Sequence, residues 1–232
     1  MLSCREGHRS LPRILWPRMP LRNRVTPLSA LVADPARGLV YGNRGCLHDE
    51  QGEIRRRFNG KRWIACRLEF RGWKRTQLLQ PGRFTELFFL DEATAFAAGH
   101  RPCFECRRAD ADRFARLWGT VHGSSNGSLA RARAGDIDRD LHRQRVGDQG
   151  EKLAHRMRIE VLPVGAMLRS HLGPLVIVPS GLARWTPAGY EPVARGDGTP
   201  TNPVEVLTPP GIVAVIACGY RPMLHGSAGD LA

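Results

Sequence analysis

No part of the sequence approaches the roughly 18 consecutive apolar residues that a membrane-spanning helix needs; the most apolar stretch, 211–219, is about half that length. The amino-terminal region lacks the apolar core and small-residue cleavage site of a secretory signal, so a soluble, cytoplasmic protein with no membrane partner is expected. Six cysteines are too few to staple a chain of 232 residues. A chain of that length builds its own core, so cysteine here points to metal or redox chemistry rather than a disulfide framework. A phosphate loop, a Ser-His-Asp spacing and a catalytic-metal motif are all missing. An enzymatic reading would have to use His142, His155, His171 or His225, with its site in or next to the carboxyl-terminal region.

Charge of one sign is in excess. The formal net charge is +13, and nearly all of the 35 basic residues are arginine. Such a surface favours polyanionic partners, nucleic acid first among them; the competing explanation is a compositional bias of the genome.

The patterning reads as an α+β protein, a small strand-helix module followed by a β-rich region. Residues 1–18 look unlike the rest and run up to Met19, so they are expected to be a non-native or disordered extension. In 19–118, the segment 62–70 alternates Ile64, Cys66, Leu68 and Phe70 on one face, the period of a strand. Further strands are expected over 73–79 and 84–89, separated by Pro81-Gly82. Asp91 is placed to cap a helix over 92–98 that Gly99 ends. A second helix is expected from about Ala109, with Phe114, Leu117 and Trp118 on one face. The segment 119–156 reads as a linker, Gly-rich and Ser-rich at 119–128 and charged thereafter, with a short helical candidate at 138–145. In 157–232, strands are expected at 158–162, 166–170 and 175–178. Thr208-Pro209-Pro210 and Gly219 bracket an apolar segment that is either a helix or a buried strand. The stretches ATAFAAGHRPC and VAVIACGYRPM echo each other, either as a shared helix-ending motif or as a degenerate repeat.

The chemistry centres on Cys103 and Cys106. A two-residue gap lets one tight turn present both thiolates to a single ion, and zinc in a structural site takes four such ligands. A redox Cys-x-x-Cys opens a helix after a strand; this one follows a helix and a Gly-x-Arg-Pro turn. The remaining ligand candidates are Cys46 and His48, in the Gly-rich segment YGNRGCLHDE, and Cys66.

The stretch FFLDEATAFAAGHRPCFECR at 88–107 resembles the Ada-type zinc-binding domain of bacterial DNA-alkylation-repair proteins, which has a strand, an Ala-rich helix and then Gly-aromatic-Arg-Pro-Cys-x-x-Cys. Ile64-Ala65-Cys66-Arg67 resembles that domain's first ligand region, so the likeness covers about 63–108. The resemblance implies a zinc site joining Cys66 to Cys103 and Cys106. In that family the first upstream cysteine can accept a methyl group from a DNA phosphotriester. The family's second upstream cysteine falls here on Phe70, so the resemblance leaves one ligand to be supplied by Cys46 or His48.

The expectation is a zinc-binding protein that contacts nucleic acid, DNA above all, through arginines held by the metal module, with a link to DNA repair or regulation. The candidate contacts are Arg101, Arg107 and Arg108 beside the pair, Arg67 and Arg71 beside Cys66, and the run Arg55, Arg56 and Arg57. Trp63 and Trp73 are either stacking surfaces or core. The alternatives are the enzyme described above and a zinc-folded protein-interaction module.

Overall fold

The computed structural model describes residues 19–72, 77–123, 131–194 and 202–229. The extension expected over 1–18 lies outside the described residues, as do Trp73 and most of the strand expected over 73–79. The protein is α+β, with two six-stranded sheets and four α-helices among the described residues.

The first sheet uses β1 (Arg22–Val25), β2 (Leu31–Ala33), β3 (Val40–Asn43), β4 (Ile64–Cys66) and β5 (Leu87–Phe89). After β5 come α1 (Glu92–Ala97) and the two-residue β6 (Arg101–Pro102). Its strand order is β2-β1-β5-β3-β4-β6, antiparallel except for the parallel pairs β1 with β5 and β4 with β6. Two helices follow, α2 (Arg108–His122) and α3 (Ala134–Arg145). The second sheet contains β7 (His155–Met157), β8 (Met167–Ser170), β9 (Gly173–Val178), β10 (Gly181–Thr186), β11 (Gly189–Pro192) and β12 (Val204–Val206). It is antiparallel throughout, in the order β11-β10-β9-β8-β12-β7. The helix α4 (Pro210–Ala217) follows, and a 3-10 turn over Gly226–Ala228 ends the described chain's regular structure.

The short helix α1 explains how these parts share one core. All six of its residues are buried. Ala93 and Ala97 pack with Met167, Val176 and Ala183 of the second sheet. Ala95 packs with Val25, Val40 and Phe89 of the first sheet. Phe96 enters a third cluster with Phe114 and Trp118 of α2, Ile137 and Leu141 of α3, and Ile212 and Ile216 of α4. The helix is enclosed on every side: its alanines let both sheets approach closely, and its two polar side chains are bonded inside, Glu92 accepting from the Tyr220 hydroxyl (2.9 Å) and Thr94 donating to Asp91 (2.8 Å). Asp91 caps it by accepting a hydrogen bond from the Thr94 amide (2.8 Å) and also accepts one from the Tyr190 hydroxyl of β11 (2.6 Å).

The helix ends explain the internal echo. The His100 amide donates to Ala95 O and the Gly99 amide to Phe96 O; the Tyr220 amide donates to Val215 O and the Gly219 amide to Ile216 O. Both are the same two-bond helix termination, with Gly99 (φ 90°) and Gly219 (φ 105°) in the left-handed conformation it requires.

Several expectations are corrected. The strand over 62–70 is only Ile64–Cys66, because the chain leaves the sheet at Arg67 and turns through Arg71 (φ 53°) and Gly72 (φ 76°); Leu68 is consequently 44% exposed. The loop expected from residue 119 begins later: α2 continues to His122, whose ring lies 4.3 Å from that of Trp118. The helical candidate at 138–145 is present as α3, which starts earlier, at Ala134, and is anchored by the fully buried Ile137 and Leu141. The strand expected at 158–162 is a 3-10 turn over Ile159–Val161, closed by the Leu162 amide on Ile159 O. The ambiguous apolar segment near 211–219 is the helix α4, started by Pro210 at its first position.

Candidate metal centre

The parallel contact of β4 with β6 builds the site. Ile64 and Ala65 sit opposite Arg101 and Pro102, and the Cys103 amide continues the ladder onto Ala65 O (2.9 Å). Since successive side chains on a strand face opposite ways, Ala65 enters the core with Val40 and Phe89, while Ile64 and Cys66 face the other way. After Pro102 the chain turns through Cys103-Phe104-Glu105-Cys106, and the Arg107 amide donates to Cys103 O (3.1 Å) as α2 begins. This turn brings Cys103 and Cys106 against Cys66.

The sulfur atoms of Cys66, Cys103 and Cys106 all lie within 4.8 Å of one another. Cys66 and Cys103 are buried and Cys106 partly so, in a shell of Tyr41, Ile64, Phe84 and Phe88. Two backbone amides aim at the sulfurs: Glu105 N to Cys103 Sγ and Arg67 N to Cys106 Sγ, each at 3.4 Å. Such donors stabilise negative sulfur. The three thiols hydrogen-bond to one another, so each bears on its neighbours' charge. Cys103 is pulled far down, first by the Cys106 and Cys66 thiols that donate to it and then by backbone amides. Cys66 is pushed far up, first by its hydrogen bonds to Cys103 and Cys106 and then by burial. Sulfurs this close share protons or share a cation, so these three residues could hold a metal ion. Beside them is a cavity of about 330 Å³ whose lining includes Cys66, Arg67, Arg107, Asp110 and Met223.

The other expected ligands are elsewhere. The Cys46 thiol donates to His48 O at 3.6 Å and is not in the cluster. Both ring nitrogens of His48 are engaged, Nδ1 at 2.7 Å from Thr85 Oγ1 and Nε2 at 3.1 Å from Gln80 O. His48 is a buried loop clamp, and neither it nor Cys46 replaces the cysteine that Phe70 displaces. Phe70 itself is half-buried beneath the Arg71 guanidinium, 5.0 Å from its ring centroid.

The arginines divide in the same way. Arg101 is 3% exposed and forms a two-pronged pair with Asp138 (Nε to Oδ1 2.9 Å, Nη2 to Oδ2 2.7 Å). Arg107 is enclosed between Glu92, 2.7 Å from Nη1 but out of line for a hydrogen bond, and Asp110 (2.9 Å). Both guanidinium groups are thus tied to carboxylates of the protein itself, Arg101 inside and Arg107 with 10% of its side chain still exposed. Arg108 is exposed, though paired with Asp112 at 3.0 Å. Arg67 and Arg71 are exposed next to the cysteines, and Arg55, Arg56 and Arg57 are exposed on another face. Arg55 pairs with Asp49 at 2.5 Å.

The histidines available to an enzyme are dispersed. His142 packs edge-on against Phe58 and Trp63, and His225 Nδ1 meets Ser227 Oγ at 2.9 Å. Among the described residues neither these nor His155 and His171 join the cysteine cluster or form another metal-ligating group with it. Sequence reasoning missed the fully buried Arg44 and Arg145; the only sequence signals were an arginine inside the Gly-rich segment and another closing a helix.

No helix among the described residues is long and apolar enough to cross a membrane. In comparison with known proteins, no family model, no curated protein and no solved structure matches this chain.

Proposed function

We propose that this chain is a zinc protein that binds nucleic acid, DNA foremost, through arginines held at the surface by the metal knuckle, in a role connected to DNA repair or its regulation. The observation that carries the zinc reading is the packing of three sulfurs within 4.8 Å, two of them receiving backbone amides. Zinc is the ion suited to a compact thiolate set that follows a Cys-x-x-Cys turn. Three cysteines leave one tetrahedral position for water or another donor. When bound, zinc would hold β4 to the start of α2 and neutralise the clustered thiolates. The arrangement of strand, Ala-rich helix, Gly-x-Arg-Pro turn and Cys-x-x-Cys beside Cys66 supports the Ada-type reading. The exposed Arg67 and Arg71, with Arg108, then give phosphate-contacting groups around a fixed platform.

The test is metal analysis combined with salt-dependent binding. Protein purified without chelators should carry about one zinc per chain, lost on Cys103→Ser or Cys106→Ser. Anisotropy titrations on duplex DNA should show affinity falling steeply with salt, and Arg67→Ala with Arg71→Ala should reduce the log-log slope by up to roughly 2. Zinc-loaded protein that fails to bind DNA or RNA at low salt would overturn the nucleic-acid reading and leave the metal reading standing.

A further inference from the structure

A second concentration of charge lies just before the other end of β4. The ring of Trp63 has two guanidinium groups over it, Arg44 with Cζ at 4.9 Å and Arg145 with Cζ at 4.0 Å. Each of these arginines is 1% exposed. Arg44 donates from Nη1 to Ser29 Oγ (2.5 Å) and from Nη2 to Ser29 O (3.0 Å). Arg145 donates to Gly99 O (2.6 Å) and Lys61 O (2.5 Å). Among the described residues neither has a carboxylate partner, and the Nε of each is buried without an acceptor. Asp138, the acid whose charge reaches Arg145, is committed to Arg101. Burial pulls both guanidinium groups down to about 9. Below Trp63, His100 is fully buried with neither ring nitrogen bonded, and burial together with the two arginines keeps it neutral.

Arg44 and Arg145 line a cavity of about 350 Å³. Lys152 is part of the same wall, its ammonium donating to Leu153 O (3.0 Å) and Leu207 O (2.6 Å) and facing no carboxylate among its hydrogen-bond partners. Arg22 and the run from Arg55 to Arg57 complete the basic lining, and Glu151 is its one acid. Glu151 is occupied by the Gln149 amide. Buried cations with no internal counter-charge are costly to fold. Aromatic stacking and carbonyl acceptors hold their planes in place, but do not neutralise them. Sites that gather planar guanidinium groups around a space of this size, at the lower end of the roughly 300–1,000 Å³ typical of ligand pockets, suit a multiply charged oxyanion.

We propose that this cavity is a phosphate-binding site, with Arg44 and Arg145 as its buried ligands and Arg56 and Arg57 drawing the anion in at its mouth. The shared chemistry is a terminal phosphate, presented either by a mononucleotide-sized molecule or by the end of a nucleic-acid chain. The site uses a different set of residues from the metal knuckle, so either can fail without the other.

The test uses the full, zinc-loaded chain, with zinc content measured in every variant. Melting temperature is followed against inorganic phosphate and against chloride at matched ionic strength, and adenosine 5′-monophosphate is titrated calorimetrically. Binding to the folded state alone raises the melting temperature with phosphate concentration. Arg145→Met and Arg44→Met should each abolish that rise, and their phosphate-free melting temperatures should not fall far, because an apolar replacement removes an unpaired buried charge. If these variants do not fold, Arg56→Glu with Arg57→Glu decides, and should weaken phosphate binding about tenfold or more. Competition by a 5′-phosphorylated oligonucleotide, but not by its 5′-hydroxyl counterpart, assigns the phosphate to a chain end; competition by the mononucleotide alone assigns it to a small molecule. A melting temperature indifferent to phosphate, or a rise that every variant keeps, overturns the proposal.

Discussion

Cys66 and Cys46 carry the same thiol but have opposite expected behaviour. Cys66 has two sulfurs beside it, whereas Cys46 has a carbonyl. Cys66→Ala should therefore release the metal, while Cys46→Ser and His48→Gln retain it. His48→Gln should still lower stability by about 1–2 kcal/mol, because Thr85 and Gln80 lose a fitted buried partner. Metal content and urea midpoints on the same samples check both statements, and zinc loss in the His48 variant would return that residue to the ligand set. Lys152 gives a prediction in pH. Burial, then Arg145 and Arg169, lower its ammonium from 10.5 to about 7. Between those values the unfolded chain holds a proton that the folded chain has given up, so stability rises with pH across that window. Below about 7 both states are protonated and this contribution is constant. Lys152→Met should flatten the slope of unfolding free energy between pH 7 and 10; an unchanged slope would place its origin elsewhere.

At the level of elements, the buried pair of Arg101 and Asp138 joins β6 to α3. Removing one partner strands the other, so Asp138→Ala should cost about 3–5 kcal/mol in urea unfolding, and the apolar double variant Arg101→Met with Asp138→Leu should cost far less. Equal losses in the two would mean the pair is worth more than its desolvation. Elements with strong local signals were legible in the sequence. Asp91 and Gly99 bracket α1 as expected, the Pro-Pro start marks α4, and the β8 and β9 strands fall where apolar runs indicated. Elements fixed by partners were not legible. The strands β1, β2 and β3 are three or four residues long, too short for a period to register, and α3 was legible only from 138 onward, because its surface is charged and its anchors, Ile137 and Leu141, gain meaning against Phe114 and Ile216. The cysteine cluster was half legible. The Cys-x-x-Cys spacing is local, but the choice of Cys66 over Cys46 depends on which loop folds back, and Thr85 decides that by fixing His48 and the Leu47 amide (2.7 Å). Arg101 looked like a contact residue because nothing in the sequence links it to Asp138, thirty-seven positions away.

Across the whole molecule, α1 feeds side chains into three clusters that together reach both sheets and the three other helices. Such sharing should make unfolding a single cooperative event. Calorimetry should show one transition in zinc-loaded protein, and chelation should move the entire transition to lower temperature, since metal binding and folding are linked. A second sheet that melts unchanged after chelation would show two independent units. The three residues of β4 also set a rule for chain length. Trp63, immediately before the strand, supports the two buried arginines, and Cys66, its last residue, faces the other sulfurs. A strand places neighbours on opposite sides, so a slip of one residue reverses every side chain. One inserted or deleted residue between Trp63 and Cys66 would turn the indole or the thiol from its place, and no compensating shift of β6 could restore both. In a library of single-residue insertions and deletions through this part of the chain, those four positions should stand out as a gap, intolerant of any change in length however conservative the residue gained or lost.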